Sequence, residues 1–204
     1  MRKLASLLFG LMVVFGHAPA QSYRTSLSLD IMPGLATVYW RPAWDLVVPR
    51  FSTCLGISVS HRVSRSGVFI ETGLCLMDRG YNTRQVHQDG SGNELVETSR
   101  EFDYYLMVPA SIGTQLGRIS FSAGLSFNHY VARRFYLNNQ FVTDSKIPIA
   151  AFAIGAQFSA GYGVEVGPNF KLICGAYVNA IHGIKFFNYG AMIRVSRNLS
   201  RNKN

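Results

Sequence analysis

Charge is scarce in this sequence. Asp, Glu, Lys and Arg make up 15% of its 204 residues, against about 25% in ordinary soluble domains. Long apolar runs are missing too. Beyond residue 20 no stretch reaches the ~18 uninterrupted apolar residues that a membrane-crossing helix requires, which excludes a helical membrane protein. Cysteine is rare and odd in number: Cys54, Cys75 and Cys174. That count argues against a disulfide framework. Cys54 and Cys75 fall on one hairpin, where a single bridge is the alternative to free thiols. His61, His87, His129 and His182 lack ligand spacing such as H-x-x-x-H, so no metal or other cofactor is expected. A net charge of +9 suggests nucleic acid at first sight. The positive residues are dispersed, however, with no run longer than Arg133-Arg134, and nucleic acid is not an expected partner. Pairing in an interior and contact with anionic lipid headgroups account for the basic excess better. No Pro/Ser-rich linker divides the chain, so one domain is expected.

What is present begins with a leader. Arg2 and Lys3 precede the apolar run Leu7 to Phe15, and Ala18-Pro19-Ala20 is a small-x-small cleavage site. Residues 1–20 therefore read as a secretory signal peptide. The mature domain covers 21–198, and 199–204 form a polar tail.

The organising stretch is Gly67 to Tyr81, GVFIETGLCLMDRGY. Val68, Ile70, Thr72, Leu74 and Leu76 share one face. Phe69, Glu71, Gly73, Cys75, Met77 and Arg79 share the other. Strict alternation is the period of a strand, and this one is long for a soluble domain. An apolar outer face backed by a mixed polar inner face is what a membrane-spanning β-barrel requires. The same alternation predicts strands near Thr25 to Thr37, Arg50 to Arg62, Ser99 to Gly113, Arg118 to Val131, Ile147 to Tyr162, Asn169 to Ile181 and Phe186 to Asn198. Short turns follow the second, fourth and sixth strands. The longer connections after the first, third and fifth include Arg84 to Thr98 and Ala132 to Lys146. The predicted fold is all-β: an eight-stranded antiparallel up-and-down transmembrane β-barrel with both ends in the periplasm. A soluble barrel also alternates, but its water-facing side is rich in Lys and Glu. Here the polar face is Ser, Gly and Asn, small residues that suit a narrow lumen.

Phe69-Ile70-Glu71-Thr72-Gly73-Leu74, with Asp78-Arg79-Gly80-Tyr81 after it, resembles the "E-x-G-L … K-G" strand of one family, with Arg79 where Lys is usual. Tyr105-Leu106-Met107-Val108-Pro109 resembles its "Y-L-x-I-P" signature, and Ala123-Gly124-Leu125 and Ala153-Ile154-Gly155-Ala156 resemble its later glycine-containing strands. The family is the PorT-like outer-membrane β-barrel group of Bacteroidetes-type bacteria. The resemblance covers most of the mature chain. It implies an outer-membrane barrel without catalytic residues, in a family whose namesake takes part in protein secretion. The partners it implies are outer-membrane lipid, the barrel-assembly machinery during biogenesis, and secretion-system or surface proteins.

Charges inside so narrow a barrel must pair, because desolvation is costly. The expected interior network is Asp30, Arg62, Glu71, Arg79, Asp103, Lys171 and Arg194. Glu71 and Arg79 lie about 26 Å apart along a strand and cannot meet. The expected pairs are Glu71 with Arg62, Arg79 with Asp103, and Asp30 with Arg194, which Lys171 joins. Together they imply a plugged lumen. The outer loops are the expected working surface, carrying Trp40 and Trp44 in the first and Arg133, Arg134 and Tyr136 in the third. Two rival readings are a small pore and a lipid-modifying enzyme. The enzyme reading would rest on Ser126 and His129, which alternation places on opposite faces. Gly161-Tyr162-Gly163 is a turn, since nothing near it has the strand-to-helix context of a phosphate loop.

Overall fold

The computed structural model describes residues 25–38, 46–63, 67–88, 90–142, 151–181 and 186–199. The leader, the tail, Trp40 and Trp44 lie outside them. Nine strands follow in order: β1 (Thr25–Val38), β2 (Leu46–Arg62), β3 (Val68–Gln88), β4 (Glu94–Leu116), β5 (Ile119–Leu137), β6 (Gln140–Val142), β7 (Phe152–Glu165), β8 (Phe170–Ile181) and β9 (Phe186–Asn198). Each pairs antiparallel with its neighbour. The order β4-β3-β2-β1-β9-β8-β7-β5, with β5 returning to β4, closes a ring of eight; β6 is a short addition on the edge of β5. Closure by β1 against β9 leaves the barrel with no free sheet edge along its length.

The period-2 pattern sorts the side chains. Leu29, Ile57, Leu76, Leu125, Ile154 and Ile193 all point outward and are well exposed. Their in-strand neighbours Asp30, Ser58, Cys75, Ser126 and Met192 are buried in the lumen. A belt of exposed aliphatic side chains encircling the whole molecule far exceeds the few hundred Å² of apolar patch that soluble monomers tolerate. Polar groups inside and apolar groups outside is the arrangement a hydrocarbon solvent selects, and the fold is a transmembrane barrel.

The strands are unequal. The residues expected as the loop Arg84 to Thr98 are mostly strand: β3 and β4 stay paired out to Gln88 and Glu94. Likewise β5 continues through Arg133, Arg134 and Tyr136, and turns at Asn138-Asn139 into β6. β2 begins at Leu46, earlier than alternation suggested; of the strand expected from Ile147, β7 covers Phe152–Glu165, and 147–150 lie outside the described residues. Pro33-Gly34 does not interrupt β1; both residues pair with β2. At the opposite end the hairpins are tight, as at Gly117-Arg118, where Gly117 takes the positive φ that a two-residue hairpin turn demands.

Two bulges interrupt the regular register. In β2 one extra residue lies between Pro49 and Cys54 relative to β3. Asp78 answers it: its carboxylate accepts from the Thr53 N–H and, at 2.8 Å, from Arg50 Nη2. In β5, Tyr105 faces Tyr130 while Tyr104 faces Ala132, so Val131 is the extra residue. Beside these irregularities Gly80 adopts φ 153°, and a Cβ there would collide with the carbonyl oxygen of Glu101. Gly80→Ala is therefore expected to destabilise the barrel by roughly 1–3 kcal/mol, visible as a lower urea midpoint in detergent.

Candidate functional site

The lumen is filled in three layers. Nearest the short-turn end, Arg194 of β9 reaches across to two carboxylates. Its Nε donates to Asp30 Oδ1 at 2.5 Å, and its Nη1 and Nη2 donate to Glu71 at 2.5 and 2.9 Å. Ser58 adds a hydroxyl donor to Asp30 Oδ2 at 2.7 Å. Forked guanidinium-to-carboxylate bonds on both sides leave few lone pairs unsatisfied, which a buried charge cluster requires.

The middle layer is sulfur-rich. Met32, Cys54, Cys75, Met77, Met107 and Met192 are all buried in one cluster with Ile173 and Tyr177. Arg79 passes through it, fully buried. Its Nε donates to Met77 Sδ at 2.8 Å and its Nη2 to Asn179 Oδ1 at 2.9 Å. The Tyr105 ring lies 5.6 Å away. Among the described residues Arg79 forms no ion pair, and its Nη1 has no hydrogen-bond partner. A cavity of about 40 Å³ runs between this layer and the Arg194 cluster.

The outer layer holds Arg133, Asp103 and Glu101. Arg133 Nε donates to Asp103 Oδ1 at 2.7 Å, and Nη2 to Glu101 Oε1 at 2.6 Å. Above it opens a vestibule of about 180 Å³, lined by Thr83, Gln85, Glu97, Ser99 and Phe135 among others.

Several expected partners are therefore exchanged. Glu71 pairs with Arg194 rather than Arg62, because Arg194 lies across the lumen with room to extend, while Arg62 sits at the short-turn mouth and donates to Gln115 Oε1 at 3.2 Å. Asp103 is the register partner of Arg79 in the ladder, yet its ion pair is with Arg133, which faces it from β5. Lys171 does not join Asp30 and Arg194; it stands cross-strand from Glu165 with its chain over Gly163. Arg133 is no loop residue. The bulge at Val131 reverses the phase of β5 beyond it, turning Arg133 into the lumen and Arg134 outward. Arg134 then lies 5.9 Å from the Tyr104 ring on the exterior, and Tyr136 packs against Phe102 and Phe141.

The exterior above the belt is basic. Arg50 stacks over Phe102 at 3.7 Å. Arg134 stands directly opposite Phe102, Arg100 stands opposite Tyr136, and Arg84 lies beyond, opposite Thr98. Ser126 and His129 do not meet: Ser126 is buried and accepts from Asn128 Nδ2 at 3.0 Å, while His129 is exposed on the outer face.

No protein-family model matches the chain, and no curated protein matches it. Solved structures similar to it include Neisserial surface protein A (TM-score 0.48, 10% identity, covering 88% of this chain and 100% of that one). Ail, the attachment invasion locus protein of Yersinia pestis, is similar at TM-score 0.48 and 9% identity, covering 88% and 100%. The outer membrane protein OprG from Pseudomonas aeruginosa follows at TM-score 0.38 and 10% identity, covering 88% and 95%. The barrel assignment rests on the strand pairing and the two faces described above.

Proposed function

We propose that this chain is a non-enzymatic, PorT-like barrel of a bacterial outer membrane, exported under the leader at 1–20. In this reading it supports protein secretion or surface interactions through the outer part of its strands. The observation that carries the proposal is the contrast between its two spaces. The lumen is blocked by two arginine–carboxylate clusters with a sulfur and aromatic layer between them. The exterior surface, by contrast, extends past the belt on β3, β4 and β5 and offers polar and apolar groups to solvent. With the short turns assigned to the periplasm, that extension stands outside the cell. Arg84, Arg100 and Arg134 are then at headgroup height, where their charge suits anionic outer-leaflet lipid. The barrel-assembly machinery is the partner during biogenesis.

Reconstituted in planar bilayers, the purified barrel should show no steady conductance; a stable open level would replace this reading with that of a small pore. Deleting the gene should change the set of secreted or surface-exposed proteins. Complementation by a chain lacking residues 86–96, closed by a short turn, should fail to restore it although that barrel still folds. Restoration by the shortened chain would move the working surface elsewhere.

A further inference from the structure

The sulfur layer is more ordered than a filler requires. Along one cross-strand row Met32, Cys54 and Met77 are direct partners on β1, β2 and β3. In the neighbouring row Cys75 of β3 faces Met107 of β4. Facing residues place their Cβ atoms about 5 Å apart, so sulfurs from both rows converge; Cys75 stands two residues along β3 from the partner of Cys54, on the same face and in the same buried cluster. Met192 closes the cluster from β9. Outside the leader no other methionine exists in the chain. Every methionine of the mature protein, and two of its three cysteines, thus point into one enclosed space.

A second observation comes from Arg79. This buried guanidinium donates to Met77, the cross-strand partner of Cys54, has no ion-pair partner among the described residues, and keeps its Nη1 without an acceptor. A buried cation of this kind calls for an anion beside it. Two cysteine thiolates holding a monovalent metal ion supply one. Each thiol releases its proton to solvent as its sulfur–metal bond forms. One ion and two thiols therefore give a dithiolate complex of net charge −1 and two protons, with no change of oxidation state. Thiolate and thioether donors select soft ions such as Cu(I) over Mg²⁺ or Ca²⁺.

We propose that the barrel lumen is a binding site for a soft monovalent metal ion of the Cu(I)/Ag(I) class. Cys54 and Cys75 are its thiolate ligands, Met32 and Met107 its thioether ligands, and Arg79 offsets the charge of the complex. This site is independent of the surface role proposed above. The competing account is that methionine, being flexible, merely fills an irregular lumen.

The test uses barrel purified from membranes in detergent, with the exposed Cys174 replaced by alanine, reduced with a phosphine and refolded with Ag⁺ in chloride-free buffer. One Ag⁺ per barrel should remain after desalting, with two protons released per ion bound. Met32→Leu combined with Met107→Leu keeps volume and both thiols; it should preserve the heat-dependent gel shift of the folded barrel yet weaken Ag⁺ binding at least tenfold. Cys54→Ala with Cys75→Ala should abolish binding. If the Cys174→Ala barrel retains no ion, or if the leucine pair binds Ag⁺ as tightly as the parent, the proposal fails and the methionines are packing alone. Because the leucine pair keeps both thiols, a folding failure of the cysteine variant leaves the decision intact.

Discussion

Arg194→Ala is expected to lower the stability of the barrel by about 3–5 kcal/mol, the cost of breaking a buried charge cluster from one side. The alanine removes the one guanidinium that both Asp30 and Glu71 share, so two carboxylates are left in a lumen with little water. Among the described residues Ser58 then remains as the side-chain donor to Asp30. Urea unfolding in detergent, followed by the heat-dependent gel shift, measures the loss. Adding Asp30→Asn and Glu71→Gln to the same chain removes the stranded charges and should return a substantial part of the stability. If the single variant unfolds at the parental urea concentration, the cluster holds nothing together. If the triple variant is no better than the single one, packing around the Arg194 stem matters more than its charge.

The second large effect concerns the outer face. Leu125 points outward from the middle of β5, half exposed, and faces Ala110 and Ala156 on its neighbours. Leu125→Arg should cost about 2–4 kcal/mol in lipid bilayers, the depth-dependent penalty for a cation at mid-membrane. Ile119→Arg lies on the same face beside the Gly117-Arg118 turn, where the same penalty falls to about 0–1 kcal/mol near the interface. The ratio between the two variants reads depth directly. Equal effects would mean that this surface does not meet hydrocarbon. Neither substitution touches the lumen, so the outcome is separable from that of Arg194.

The strands and their two faces were legible because alternation is a local property. Each of Leu74, Cys75, Leu76 and Met77 declares its side by its parity alone. Asp30 beside Arg194 follows from closing the strand order into a ring. The partner of Glu71 did not follow, because that contact crosses the lumen between strands that are not neighbours, and no sequence spacing encodes a chord of the barrel. Arg133 was misplaced for a different reason. A single extra residue at Val131 inverts the parity of everything after it, and an exposed valine in a run of strand-forming residues carries no mark of the bulge. The length of β3 and β4 was missed because Gln85 to Gln88 and Glu94 to Thr98 are mostly polar, and their few apolar residues, Val86 and the adjacent Leu95 and Val96, do not alternate. Outside the membrane a strand no longer needs an apolar side, so its composition resembles that of a loop. The convergence of Met32, Cys54, Cys75 and Met107 was equally invisible in the sequence. It exists only once three interstrand registers are fixed together.

The paired arm of β3 and β4 has a practical consequence for anyone labelling living cells. Glu94 is eight residues beyond Phe102, roughly 27 Å farther along the strand. At the tip, side chains added to Gly90 or Gly92 would meet nothing within 4 Å. On the proposed orientation, an epitope tag spliced between those glycines would ride at the end of a stiff mast, within reach of antibodies that bulky surface sugars keep from the barrel wall.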